Sequence, residues 1–427
     1  MRAFSLLLIA VVALLAIRWF RPEPAEAAEE RLAPSEAGVR FLPPPGEAVK
    51  AAAPAAPTPV DGEIHVSEEP GVADAWPANL LSTKDGAEDE VRVAAALLHG
   101  TPAEVQAAAA SFPKDRALLL ESFSWAAAGE RKLALSLSEK IEKESVDERE
   151  RVLFEAVLTG RAPVPAVASV GPVALAMEMS LLARQANQAL LARRYVEAAG
   201  AYSRLLIGEI GAPWPAERRL LAEWTKGLDE AQREHRWHPR GEWPAAETKI
   251  VSGDTLIGIR LRYLSEHPGA KMCTGLIERA NRIKGLLQPN QVLRIPTEPV
   301  RVVVDLGACW ALFFIGDEVA AAWPIGIGRP GEETPVGSFT VRNKLENPPW
   351  MKEGQDPIPF GDPRNPLGTR WIGWDKEGAK TSYGFHGTWD QQSIGQAASD
   401  GCVRFLNSDV EQLFQILPEG APIVVQG

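Results

Sequence analysis

Two residues near the C-terminus of this 427-residue chain have the types and spacing to do covalent chemistry together. His386 lies sixteen residues before Cys402, within YGFHGTWDQQSIGQAASDGCVRF (383–405). An unperturbed thiol has a pKa of about 8.5 and is only slightly ionised at neutral pH. A nucleophilic cysteine therefore needs a neighbour, and a histidine can take its proton or pair with it as imidazolium. Sixteen residues allow a hairpin-like return that brings the two together. Gly401 permits a tight or positive-φ turn and leaves the backbone open to a carbonyl substrate. Amides around Gly401 and Cys402 can then face an oxyanion. The histidine also needs its other nitrogen held, and a backbone carbonyl near Ser399 to Gly401 would serve without a carboxylate. The blander reading of the same pair is a buried cysteine and an ordinary polar histidine.

The elements that must position this pair are short strands. RVVVDLGACWALFFIGDEVAAAWPIGIG (301–328) is broken by Gly307, Gly316 and Gly326, and TPVGSFTV (334–341) is a turn and a strand. Regular short strands predict a sandwich or barrel-like β domain. Cys309 sits in a strand-like segment and reads as a core residue.

The letters and their spacing resemble the L,D-transpeptidases of the YkuD type. The resemblance rests on His386-Gly387-Thr388, Ser393-Ile394-Gly395 and Ser399-Asp400-Gly401-Cys402-Val403-Arg404. Upstream, Thr334-Pro335-Val336-Gly337-Ser338-Phe339 fits the family's TPxGxF turn, and NKLENPPW (343–350) and NPLGTRWIGW (365–374) fit as well. It covers 300–427 and implies a mainly-β catalytic domain that forms peptidoglycan cross-links. Cys402 would attack a stem tetrapeptide at an L,D bond, release D-alanine and pass the acyl group to an amine. His386 would be base and then acid. Ser399 would orient His386 through its backbone or close the turn, and Gly401 would shape the nucleophile's turn. Arg404, Tyr383, Gly387 and Thr388 are the implied substrate-binding residues, with Arg404 either holding the loop or meeting a carboxylate. Tyr383 and Trp389 read as groove lining or as packing. One departure stands out: Asp400 occupies a position where many members have histidine. A carboxylate there raises the thiol pKa by like-charge repulsion and alters the pairing of His386 if a side chain holds it. The thiol carries the acyl group, so no cofactor or metal is expected. Rival readings are an L,D-carboxypeptidase with water as acceptor and a non-catalytic wall-binding scaffold.

A smaller unit precedes this domain. KIVSGDTLIGIRLRY (249–263) reads as a strand, a turn and a helix capped by Asp254 or Thr255. LIERANRIKG (276–285) is a second helix closed by Gly285, and QPNQVLRIP (288–296) is a closing strand. The unit resembles a LysM domain over 248–297 at Gly253-Asp254-Thr255-Leu256, at Ala280-Asn281 and at Gln291-Val292-Leu293-Arg294-Ile295-Pro296. Asn290, where a glycine is common, and the unusual stretch His267 to Thr274 depart from that pattern. The resemblance implies binding of N-acetylglucosamine-containing glycans, peptidoglycan or chitin. Eight Lys plus Arg against three Asp plus Glu between 248 and 296 give this unit a surplus of +5 within a chain of net charge −11. The surplus suits an anionic wall polymer. Cys273 reads as inert.

The remaining chain reads as support. Residues 87–240 are rich in Ala, Leu, Glu and Arg with helical spacing, with capping signals at Thr101–Glu104 and Ser145–Glu148 and a stop at Gly160. ANQALLARRYVEAAGAYSRLL (186–206) faintly resembles a tetratricopeptide repeat. The region is expected to be a spacer or scaffold, or a docking module for a protein partner. Isolated His99, His235 and His238 read as surface or packing residues. Eleven of the 35 prolines fall in 21–80, which marks 21–86 as an extended linker. Residues 3–17 are apolar but for Ser5, follow Arg2 and precede Arg18 and Arg21. With Ala25-Glu26-Ala27 in place for cleavage, 1–20 is expected to be a signal peptide or membrane anchor, which implies the periplasmic side of a bacterial envelope. Any membrane contact would come through that segment alone. The three cysteines exclude a disulfide framework and a four-cysteine zinc site, and the acidic balance argues against nucleic-acid binding. The expected fold class is multidomain α+β: helical middle, small βααβ module, mainly-β catalytic domain.

Overall fold

The computed structural model describes residues 88–160, 171–351 and 356–427. The expected export segment 1–20 and the linker 21–86 lie outside the described residues. Among the described residues, no helix is long and apolar enough to cross a membrane.

Among the described residues, eight α-helices come first: α1 (Glu88–His99), α2 (Pro102–Ala108), α3 (Lys114–Ala127), α4 (Arg131–Ser138), α5 (Glu148–Thr159), α6 (Pro172–Leu191), α7 (Tyr195–Ile210) and α8 (Arg218–Glu234). Thr101 and Glu104 form the reciprocal capping box that starts α2. Gly160 ends α5 in the left-handed region, as its position suggests. The second capping signal works differently from expectation. Asp147 caps α5 by accepting from the amides of Arg149 and Glu150, while the Ser145 hydroxyl donates to Asp115 and to the Glu142 carbonyl. A carboxylate already at the N-cap leaves Ser145 nothing to satisfy there.

The module follows. Strands β1 (Ala245–Lys249) and β2 (Val292–Pro296) pair antiparallel around α9 (Leu256–Glu266) and α10 (Thr274–Asn281). Thr255 is the N-cap of α9, its hydroxyl accepting from Gly258 N at 3.0 Å. The first strand ends where it was expected to begin. The second helix stops at Arg282 in the left-handed region, short of Gly285. The cause is Asn281: its amide donates to Ile277 O at 2.8 Å and to Arg294 O at 2.7 Å, and its carbonyl accepts from Arg294 N at 2.8 Å. These bonds tie the helix end to β2 and replace the next helical turn.

The last part is a mostly-β curled sheet. Its strands are β3 (Val300–Asp305), β4 (Trp310–Ile315), β5 (Glu318–Pro324), β6 (Ile327–Gly328), β7 (Gly337–Glu346), β8 (Arg370–Lys376), β9 (Ala379–His386), β10 (Ala397–Ser399), β11 (Val403–Arg404) and β12 (Pro422–Gln426). Helix α11 (Asn407–Ile416) lies between the last two. Eight strands run in the order β11-β9-β8-β7-β12-β3-β4-β5, and β10 pairs with β6 separately. The β11–β9 and β12–β3 pairs are parallel; the other pairs of the large sheet are antiparallel. The expected sandwich or barrel is thus one long curled sheet, its inner face filled in part by α11.

The helical region is not a detached spacer. Val303, Leu312, Phe314 and Ala322 join the core of the helices, while their strand neighbours Val302, Val304, Phe313 and Ala321 join the core shared by the curled sheet, α11 and the module. Alternate side chains of β3 to β5 thus serve two cores, which explains why those strands read as unbroken apolar runs. The seam is closed by hydrogen bonds. Val319 N donates to Ser203 Oγ at 2.8 Å, and Gln232 Nε2 donates to Val319 O at 3.0 Å. Arg236 pairs with Glu298 at 2.6 Å and with Glu318 at 3.1 Å.

Candidate active site

Strand register brings the chemistry together. In the parallel β9–β11 pair, Phe385 lies opposite Val403 and His386 opposite Arg404. Phe385, Val403 and Phe405 are fully buried in the core. Because side chains alternate along a strand, His386, Cys402 and Arg404 fall on the other face. Cys402 is thereby set beside Gly384, and Phe405 N donates to His386 O at 2.9 Å to lock the register.

His386 is buried, and its Nδ1 lies 2.6 Å from the carbonyl of Gly387. A carbonyl only accepts, so Nδ1 carries the proton and Nε2 keeps a free lone pair. The orienting carbonyl is therefore that of the next residue, not one of Ser399 to Gly401. Ser399 is occupied elsewhere: its hydroxyl donates to Cys402 O at 2.5 Å and its carbonyl accepts from Arg329 N at 2.9 Å. It closes the turn that carries Cys402 and does not hold the histidine. The Trp371 ring stacks near His386, with centroids 6.2 Å apart.

Gly401 has φ +92°, and a Cβ there would come within 2.7 Å of Tyr383 Cε1. Both the left-handed backbone and the aromatic ring demand glycine. Tyr383 thus packs on the turn that carries Cys402. Among the described residues, the amides of Gly401 and Cys402 donate to no protein acceptor. The Cys402 thiol donates to Ser382 O at 3.7 Å and makes no hydrogen bond to His386 in this resting arrangement. Catalytic hydrogen bonds are often formed only once substrate is bound.

Electrostatics keep both partners neutral. Burial pushes His386 down to about 4; its bond to Gly387 opposes the shift and the Arg404 cation adds to it. Burial pushes the Cys402 thiol up to about 11, partly offset by the Gly384 amide and Arg404, with Asp400 adding a small rise. Asp400 does not reach the histidine. Its carboxylate is exposed and pairs with Arg329 at 2.9 Å. The other thiols differ in context: Cys309 is buried in the core with φ +54°, and Cys273 donates to Gln415 O at 3.3 Å. Burial raises the pKa of both.

Cys402 opens onto a cavity of about 370 Å³. Arg342, Asn343, Trp350, Trp371 and Lys380 are among its walls. Pro348–Met351 and Leu367 line one side, and Asn365 holds the neighbouring backbone, its amide donating to Pro348 O at 2.9 Å and to Ile358 O at 3.1 Å. Asn343 Oδ1 and Arg404 Nε are buried without a partner. Arg404 also exchanges two 2.8 Å backbone bonds with Gly326. Thr388 is buried and its hydroxyl accepts from Asp390 N at 3.1 Å, so it shapes a turn. None of the four expected substrate-binding residues, Arg404, Tyr383, Gly387 and Thr388, is among the cavity's walls, and Trp389 is exposed beside Phe360. Sequence reasoning gave no role to Asn343, Trp371 or Lys380, although the first two lie in stretches it singled out. Among the described residues, no three His, Cys, Asp or Glu side chains are gathered as for a metal ion.

Residues 299–425 match the YkuD family, described as the L,D-transpeptidase catalytic domain. YqjB of Bacillus subtilis (strain 168), whose name places it among the L,D-transpeptidases, is 36% identical over 132 residues, 31% of this chain and 73% of that protein. The chain belongs to the L,D-transpeptidase family. YkuD of the same organism is 28% identical over 184 residues, 42% of this chain and 96% of the relative. An L,D-transpeptidase structure from Mycobacterium smegmatis is 20% identical, with a TM-score of 0.26, over 34% of this chain and 77% of its own. Membership makes this L,D-transpeptidase a cysteine-dependent acyltransferase.

Proposed function

We propose that Cys402 is the acyl-carrying nucleophile of a peptidoglycan L,D-transpeptidase and that His386 is its base and acid. The observation that supports this most is the bond from His386 Nδ1 to Gly387 O, which leaves Nε2 unprotonated on the face that carries Cys402. A neutral thiol facing a neutral imidazole needs the proton to move as the new bond forms. Rotation of the thiol away from Ser382 O lets Nε2 take the proton while sulfur adds to the stem-peptide carbonyl. The oxyanion meets the free amides of Gly401 and Cys402. Collapse breaks the C–N bond, and the His386 imidazolium gives its proton to the departing amine of D-alanine. The thioester then accepts an amine from a neighbouring stem. His386 removes that amine's proton and returns it to the leaving thiolate.

The cavity wall fits an acyl donor of mixed character. Trp350 and Trp371 offer apolar contact, Arg342 and Lys380 offer positive charge, and the unpartnered Asn343 Oδ1 offers an acceptor. Arg404, which is off the cavity wall, is read as a backbone tie that holds the loop through Gly326.

The βααβ module is read as a LysM-like glycan holder. Val251, Ile257, Leu261, Leu286 and Val292 are exposed on it, apolar surface that a bound glycan could cover. The apolar N-terminal run supports export to the periplasmic side of the envelope, with the proline-rich linker as a spacer. The helical surface not used against the sheet is left for a protein partner.

The test is product analysis on disaccharide-tetrapeptides with wild type and Cys402→Ala. Cross-linked dimers and free D-alanine that require Cys402 support transpeptidation. D-alanine without dimers indicates carboxypeptidase action with water as acceptor. Neither product, with glycan still bound, favours the wall-binding scaffold.

A further inference from the structure

We propose that Asn407 is a positioning residue for His386, acting through the peptide of Gly387. Asn407 opens α11, just beyond the β11 segment that carries Cys402 and Arg404. Its Oδ1 accepts from Thr369 N at 3.0 Å. The same oxygen lies so close to Gly368 and Gly387 that a Cβ on either glycine would overlap it. A Cβ on Gly368 would also come within 2.5 Å of Gly387 C and 2.7 Å of Thr388 N. Two backbone segments, 368–369 and 387–388, therefore cross in direct contact, and the Asn407 carboxamide fills the angle between them.

The consequence falls on one carbonyl. Gly387 N donates to Arg370 O at 3.2 Å, which ties the residue, though not its own carbonyl, to β8 on one side. Asn407 bears on it from another. Gly387 O is the atom that accepts from His386 Nδ1. An acceptor that shifts no longer fixes the ring, and a neutral imidazole free to carry its proton on Nε2 cannot take a proton from the thiol there. Misplacement of a catalytic group by about 1 Å can cost roughly 100-fold in rate. Asn407 is uncharged and has no bond to the ring, so its effect is on geometry and tautomer.

The role of Asn407 in turnover rests on the acyl-transfer reading above, but its effect on the histidine can be read without turnover. The experiment is ¹⁵N NMR of the histidine ring nitrogens in wild type, Asn407→Ala and Asn407→Asp, with His386 assigned by the signal lost in His386→Gln. Steady-state kinetics on the disaccharide-tetrapeptide accompany it. Wild type should show one neutral tautomer, protonated on Nδ1. Asn407→Ala should show mixed tautomers and lose about 10- to 100-fold in kcat with little change in KM. Asn407→Asp keeps an acceptor oxygen for Thr369 N and should retain the single tautomer and most of kcat. If Asn407→Ala does not fold, Asn407→Ser, with a hydroxyl too short for Thr369 N, takes its place. A single Nδ1-protonated tautomer and wild-type kcat in the variant lacking the carboxamide overturn the proposal, whatever happens to its melting temperature. If wild type itself transfers no acyl group, the acyl-transfer reading fails while the tautomer comparison still decides the role of Asn407.

Discussion

At one end of the eight-stranded sheet, β3, β4 and β5 are covered on both faces; at the other, β8, β9 and β11 are covered on one. All six residues of β4 are buried, whereas β9 is largely open until it reaches Gly384, Phe385 and His386. The first end is held by packing from two cores and contains no group that needs to react. The second spends half its side chains on the core, through Ile372, Phe385 and Val403, and turns the other half toward the cavity. A polar face on a strand is stable there only because each polar group is either bonded or waiting for a ligand. The contrast teaches where mutations should act: on stability at the covered end, on rate at the open end.

The sharpest test of that division is His386→Gln. Acyl transfer should fall by roughly 100- to 10,000-fold, the usual contribution of general acid–base catalysis, with the fold intact at pH 7. An equal loss of melting temperature would break the division. At the covered end, Phe313→Ala should cost about 3–5 kcal/mol in urea unfolding and leave kcat of the folded fraction unchanged. Phe313 is fully buried, so a smaller loss would mean that the two cores close around the gap.

His386 also makes a pH prediction. Its folded-state value of about 4 lies below the ordinary 6.5, so the unfolded chain binds the proton more readily. Its contribution is fully present above about pH 6.5 and is lost as pH falls toward 4, by up to about 3 kcal/mol. Wild type minus His386→Gln, in urea midpoints between pH 7 and pH 4, should show that loss, and a flat difference would contradict a buried neutral ring. Activity should persist to about pH 5 for the same reason. The smallest effect is at the helical seam. Ser203→Ala leaves Val319 N buried without its acceptor and should cost about 1–3 kcal/mol, with catalysis unchanged.

These regions also differed in how much the amino-acid sequence disclosed. His386, Cys402 and Gly401 were legible because reactive side chains and a positive-φ glycine are properties of residue type. The carbonyl that orients His386 was not, since every residue carries one and only the folded turn selects Gly387 over Ser399. Asn407 was invisible for a similar reason: its partners are the amide of Thr369 and two glycines brought near by strand register. The apolar runs of β3 to β5 announced burial but not what buries them, so the helices read as a spacer, scaffold or docking module, while their packing on the sheet makes them its second wall. Asn281 ended its helix through bonds to a strand thirteen residues away, which the nearby Gly285 disguised.

The most direct measurement is intact-protein mass spectrometry of wild type and Cys402→Ala, quenched early in the reaction with disaccharide-tetrapeptide. The account predicts that wild type gains the mass of the donor less D-alanine, on Cys402, and loses it when an acceptor amine is added. An adduct on Cys402→Ala, or cross-linked product from wild type with no acyl group ever on Cys402, would contradict it.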